Sequence, residues 1–158
     1  DVGCIRRLQV DCSTSADAIV AFLRNTRAAG RRVLGYGAAS RAVVLLNSAG
    51  VTPELLPGVA DASPAKQGRR IPGMGIPVLP PDSLTAERPN RVLLFVPDLL
   101  EEVRQAWPEV ERDGGRWVLI DPVPRLTPVA DQGGGCSRHI TSPTVATGRA
   151  QRRTPGGN

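Results

Sequence analysis

Apolar positions along this chain alternate between two rhythms, one of three to four residues and one of short continuous runs, and the changes of rhythm mark out its elements. Ser13, Thr14 and Ser15 offer hydroxyl caps ahead of Ile19, Val20, Phe22 and Leu23, whose spacing predicts a helix that Gly30 stops. Residues 31–36 (RRVLGY) read as a short strand. Residues 39–49 (ASRAVVLLNSA) set Ala42, Leu45, Leu46 and Ala49 on one helical face before Gly50. Residues 56–61 (LPGVAD) predict a second strand, and residues 63–75 (SPAKQGRRIPGMG), rich in Gly, Pro and charge, a structured loop. A short strand at 76–79, a helical turn at 81–87 and, at 91–96 (RVLLFV), a continuous apolar run of the kind buried on both faces follow. A helix over 99–111 ends at Gly114-Gly115, and residues 116–120 (RWVLI) supply a last strand.

Strands alternating with helices imply right-handed crossovers and an α/β fold, a doubly wound and mainly parallel sheet of about four or five strands. Three segments result: an N-terminal extension over 1–12, a domain over 13–126, and a tail over 127–158. In the tail Gly, Ser, Thr, Pro and Arg dominate without periodicity, which predicts disorder.

Gly35-Tyr36-Gly37-Ala38-Ala39-Ser40 stands where a strand passes into a helix, the place of a Rossmann-like GxGxxG turn, with Ser40 replacing the third glycine. Gly35 permits a tight turn, Gly37 lets backbone approach a phosphate, and the free N–H groups and dipole of the following helix favour an anion. Arg41 would add a charge-assisted contact. The alternative is that these glycines serve strand-to-helix packing alone. Asp61 closes the second predicted strand, where such folds place an acid for ribose hydroxyls, although a solvated strand-end aspartate fits equally. Lys66 is the single lysine beside nineteen arginines, which suits either a compact ammonium at a site or an ordinary surface lysine.

Composition narrows the function classes. Hydrophobic residues make up 41% and aromatics 3%, so the core must be built from Val, Leu, Ile and Ala, the filling of a covered parallel sheet. No run is long enough to span a membrane and residues 1–7 lack a signal-peptide pattern, which predicts a cytoplasmic protein without membrane partners. Cys4, Cys12 and Cys136 form no CxxC pair, so neither a disulfide framework nor a metal site is expected. His139, with Cys136, makes a lone CxxH in the tail. Net charge is +5, but Arg138, Arg149, Arg152 and Arg153 of the tail face only Asp131 and lack interleaved aromatics, a poor footprint for nucleic acid. Glu101, Glu102, Glu109 and Glu111 read as the wet face of one amphipathic helix, and no catalytic pair emerges.

Taken in order, GYGAASRAVVLLNSAG, VADASPAKQGRRIPGMGIPVL, RVLLFVPDLLEEV and GGRWVLIDPVPRL resemble the C-terminal domain of the sugar C-methyltransferases that act on nucleotide-linked deoxysugars. The resemblance runs from about Gly35 to Pro124, and its most specific part is the stretch from Asp61 to Gly73. It departs at Pro97-Asp98, where that family has Trp-Asn. The resemblance implies a domain that binds or positions a nucleotide diphosphate sugar through Gly35, Gly37, Ala38, Ser40, Arg41, Asp61 and Lys66. It further implies that S-adenosylmethionine and the catalytic groups belong to another domain of the full-length family, so this chain is expected to bind no cofactor and to have no catalytic residue of its own. A separate methyltransferase subunit is then a candidate partner. The rival reading of the same turn is an NAD(P)-binding domain of an oxidoreductase.

Overall fold

Crossover connections return the chain over the sheet between parallel strands, and successive strands here are neighbours except at the step from the third to the fourth, which passes to the other side of the first. The computed structural model describes residues 2–121 and 123–129, with side chains from Thr14 onward. Its strands are β1 (Val33–Tyr36), β2 (Val59–Ala60), β3 (Val78–Leu79), β4 (Arg91–Leu94), β5 (Arg116–Ile120) and β6 (Pro124–Leu126). They form one sheet in the order β3-β2-β1-β4-β5-β6. The first five are parallel and β6 is antiparallel to β5. The sheet is therefore the mostly parallel one expected, with β6 as a strand beyond the anticipated four or five. That strand follows β5 after a reversal of only a few residues, too short for a crossover helix, which forces antiparallel pairing.

Helices cover both faces, and the pleat sorts the side chains between them. Val33 of β1, Leu93 of β4 and Val118 and Ile120 of β5 face one core with Ile19, Leu23, Leu45 and Leu46 of α1 (Val2–Ala28) and α2 (Ser40–Ser48). Leu34 and Tyr36, Val92 and Leu94, and Trp117 face the other, with Leu84 of α3 (Ser83–Glu87), Val103 of α4 (Leu100–Ala106) and Val110 of α5 (Glu109–Arg112). Burial on both faces explains why these strands are continuously apolar rather than alternating. Tyr36 and Trp117 meet edge to face, with ring centroids 6.1 Å apart, an arrangement worth about 0.5–1.5 kcal/mol beyond area burial. No helix among the described residues is long and apolar enough to cross a membrane.

Three expectations need correction. The hydroxyls at 13–15 do not start a helix, because α1 runs through them from Val2. The apolar spacing Val2, Ile5, Leu8, Cys12, Ala16, Ile19, Leu23 is continuous across that point, and a sustained helical period outweighs a local cap signal. The helix expected over 99–111 is broken: a 3₁₀ turn (Pro97–Leu99) leads into α4, and α5 begins only after Trp107 and Pro108. Pro108 disfavours helical backbone at Trp107, whose φ of −130° and ψ of 59° lie outside the helix region. The break also removes Glu111 from the wet face. Its side chain is only 4% exposed and lies 3.1 Å from the Arg104 guanidinium, which in turn reaches the backbone oxygen of Pro128.

The loop over 63–75 is ordered by its own hydrogen bonds, from Ile71 N–H to Ile76 O at 2.7 Å and from Val78 N–H to Arg69 O at 2.8 Å, and Ile71 and Ile76 are buried pegs beneath it. His139, Cys136 and the expected tail lie outside the described residues, apart from residues 127–129.

Gly115 tests how tightly the second face is closed, since a Cβ there would stand 2.5 Å from Pro89 O and 2.6 Å from Val110 O. Backbone oxygens cannot swing aside. Gly115→Ala should destabilise the domain by about 1–3 kcal/mol in a urea titration, and an unchanged midpoint would show that the α5–β5 corner is looser than described.

Candidate functional site

In an open α/β sheet the strands end together at their carboxyl edge, where the loops that follow them converge. Here the loop after β1 carries Gly37, Ala38 and Ala39, and the loop after β2 carries Asp61, Ser63 and Lys66. Parallel pairing of Tyr36 with Ala60 sets these two loops side by side.

Gly37 has φ of +90°, and a Cβ there would lie 2.8 Å from Val96 Cγ2. Both facts demand glycine for the fold itself, so a larger residue at 37 disrupts the turn before it can obstruct a ligand. Gly35 is held by packing in the same way, since its Cβ would meet Phe95 and Val59 at 2.9 Å. The Gly37 N–H donates to Ala60 O, and the Ala39 N–H donates to Gly37 O at 2.8 Å. Helix α2 then starts without a side-chain cap, and Ser40, its first residue, is exposed.

Asp61 is the hub of this edge. It is 7% exposed. Its Oδ2 accepts from the Ala38 N–H at 2.7 Å and from Lys66 Nζ at 3.3 Å, and its Oδ1 accepts from the Ser63 N–H at 2.8 Å. Gln67 Nε2 donates to its backbone oxygen. The carboxylate thus serves the protein at three points, and the amide of Ala38, one of the residues expected at the ligand, already holds an anion. Lys66 remains 45% exposed beyond its partner. Arg41 Nη2 donates to Ile120 O at 2.8 Å, reaching across to the end of β5 while staying exposed. Six of the seven residues expected at the site therefore gather at this edge, with Gly35 buried in the strand that leads to it, but Asp61 is buried and spent on the protein, and Lys66 and Arg41, though exposed, also bond to it.

Beside the glycine turn, between α2 and the 63–75 loop, lies a cavity of about 270 Å³. Ala38, Val43, Ile71 and Val78 contribute apolar wall, and Lys66, Arg69 and Arg70 contribute the charge. Arg70 Nη1 donates to Gly75 O at 2.6 Å, and the Arg69 guanidinium has no partner among the described residues. Asn47 closes the far end: its Nδ2 donates to Val43 O and to Pro72 O, tying the loop to α2. The sequence reading missed Arg69, Arg70 and Asn47, though the paired arginines within GRRIPG were visible as charge in a loop. A larger cleft of about 420 Å³ lies at the opposite, amino edge, lined by Arg27, Arg31, Glu54 and Leu55 among others. Arg27 there is already bonded to Glu54 O, and strand amino ends are not where such sheets bind ligands, so the smaller cavity is the better site.

Tyr36, the residue between the two glycines, points into the core. Burial pushes its phenol above the usual range, against a hydrogen bond from Trp107 and with Asp61 and Glu102 adding repulsion. It is no general base near neutrality. Among the described residues no three metal-ligating side chains come together.

Comparison with known proteins assigns residues 2–124 to the family described as C-methyltransferase C-terminal domain. The chain is also similar to C-methyltransferase NovU of Streptomyces niveus, at 30% identity over 105 residues. That alignment covers 66% of this chain but 25% of the relative, so the chain spans about a quarter of that protein's length. The oxidoreductase alternative draws no support from either similarity.

Two outcomes follow from this geometry. Tyr36 is the single tyrosine, so ultraviolet titration reads it alone; its midpoint should lie above the ordinary value of about 10. Because the unfolded chain releases that proton first, stability should be fully present below the unfolded pKa and fall as pH rises through the folded one. A midpoint at or below the ordinary value would contradict the buried placement. Asp61→Asn keeps one acceptor for Ala38 but loses the charge opposite Lys66, and should cost about 1–3 kcal/mol in a denaturant titration at neutral pH.

Proposed function

The chain belongs to the C-methyltransferase C-terminal domain family, and from that premise we propose that it binds and positions a nucleotide-linked deoxysugar whose methylation is carried out by groups outside it. One observation supports this reading above the others: the glycine turn, the Asp61–Lys66 pair and Arg41 all stand at the carboxyl edge of the sheet, beside a cavity walled by cations and apolar side chains. A diphosphate brings two negative charges and a nucleoside brings a flat, partly apolar body, and this edge offers a counterpart to each. Holding a reactant in fixed geometry is itself a contribution to rate, because it removes translational and rotational freedom before the chemical step.

The methyl donor is S-adenosylmethionine in this proposal, and it binds elsewhere. The acid that would take ribose hydroxyls here, Asp61, already accepts from Ala38, Ser63 and Lys66, so the residues present do not fit the donor. The chain's own work is to bind and orient. Among the described residues, Tyr36 is buried with its phenol pushed above the usual range and is no proton acceptor at neutral pH. A methyltransferase subunit or domain in contact with this edge completes the reaction.

Calorimetric titration of the chain with a thymidine diphosphate sugar, NAD and S-adenosylmethionine separates the readings. The sugar nucleotide should bind best, and no methyl transfer should be detected with the purified chain alone. Tighter binding of NAD, or turnover above a protein-free control, would overturn the proposal.

A further inference from the structure

Three neighbouring strands start on arginine. Arg31 and Arg32 lead into β1, and Arg91 and Arg116 open β4 and β5. Parallel pairing sets Arg91 between Val33 and Arg116. Alternation along the strands fixes the side: Leu93 and Val118, two residues on, face the α1 and α2 core, so Arg91 and Arg116 lie on that same face. Adjacent strands stand about 4.8 Å apart, which puts the starts of all three within about 10 Å at the amino edge of the sheet.

No acid is paired with this charge among the described residues. None of Arg31, Arg91 and Arg116 is in an ion pair, and the chain has no Asp or Glu from Ala18 through Pro53. Arg91 Nη1 donates to Asn90 O at 2.6 Å and Arg116 Nη1 to Thr127 O at 3.4 Å, both neutral acceptors. Arg31 is exposed and its side chain has no partner among the described residues. Burial, and then repulsion from Arg31 and Arg116, hold the Arg91 guanidinium below the usual arginine range. The base beneath them is fixed: the Asn90 N–H donates to Arg32 O, its Oδ1 accepts from the Arg32 N–H, and its backbone oxygen accepts from the Arg116 N–H. Like charges held together on a rigid base repel one another, and a counter-anion between them removes that cost.

We propose that Arg31, Arg91 and Arg116 form a binding site for a small multivalent oxyanion of the phosphate class. Guanidinium forks present paired N–H donors that match such an anion. Arg31 also stands in the wall of the 420 Å³ cleft, which opens the site to solvent. The length of β1 separates this edge from the glycine turn, so the anion acts as an effector or a structural ligand rather than as the group to be methylated. The site is independent of the nucleotide-sugar reading above. A nucleic acid is a poorer fit, because its backbone needs a continuous basic track and this cluster spans the reach of one oxyanion.

The test is the thermal midpoint of the 158-residue chain in inorganic phosphate, in glycerol phosphate and in chloride at matched ionic strength. Inorganic phosphate should raise the midpoint by about 2–4 °C and saturate near millimolar concentration, whereas exclusion of a kosmotropic salt grows without saturating. An equal rise with glycerol phosphate extends the site to phosphate monoesters, and a rise with inorganic phosphate alone confines it to the free anion. Arg91→Gln and Arg31→Gln should each remove about half of the rise or more, and Arg125→Gln, at an exposed position of β6, should keep it. In chloride Arg31→Gln should melt within about 1 °C of the parent, as expected for an exposed residue, so that variant decides the matter even if Arg91→Gln does not fold. A phosphate effect that never saturates, or one that persists in Arg31→Gln, shows that these arginines hold no anion and the proposal is wrong. Tighter binding of random duplex DNA, lost in Arg31→Gln, would make this edge a polyanion surface and overturn it as well.

Discussion

A single buried carboxylate organises the carboxyl edge of this domain. Asp61 ties the loop after β1, through Ala38, to the loop after β2, through Ser63 and Lys66. Hydrogen bonds to a charged acceptor are about twice as strong as neutral ones, and this one is shielded from water, so the two loops behave as one unit. Everything around it is fixed in consequence: the turn of Gly37 against Val96, the start of α2, and the position from which the 63–75 loop departs. The turn's anion requirement is met from within, by the carboxylate on the Ala38 N–H.

Much of this architecture could be read in the residues, and what could not has identifiable causes. The runs VLGY, RVLL and RWVLI are apolar on both faces because both faces are covered, and such runs announce buried parallel strands without ambiguity. Strands β2 and β3, two residues each, were legible only through their flanks, Gly58 and Asp61 for one and Pro77 and Pro80 for the other. Pro108 is the sequence mark of the break, yet the glutamates on either side of it fall on one face of an uninterrupted helix. Glu111 shows why that failed: periodicity tells which side of a helix is polar, not whether the polar side is covered by Arg104 and the chain near Pro128.

For the site, sequence position located the edge but not the bonding. Gly37 and Asp61 were legible because strand-to-helix turns and strand ends carry strong positional rules. That Asp61 would turn inward to Ala38 was not, since a carboxylate serving a ribose and one serving a backbone amide need the same residue at the same place. Arg69, Arg70 and Asn47 gain significance only once the loop folds back along β3 and docks on α2, a contact between positions some 20 to 30 residues apart that no local pattern encodes.

The two ends of the sheet carry a different consequence. One outer strand, β3, is two residues long and is flanked by the bridge between Arg70 and Pro77. The other, β6, is three residues long, opens on a proline that has no N–H to give, and presents the exposed Arg125. Brief, charged and proline-bearing margins are poor templates for another chain's strand. A domain whose interior runs are as β-prone as RVLLFV would otherwise be at risk of edge-to-edge aggregation, and it is these unremarkable borders that keep the sheet to itself.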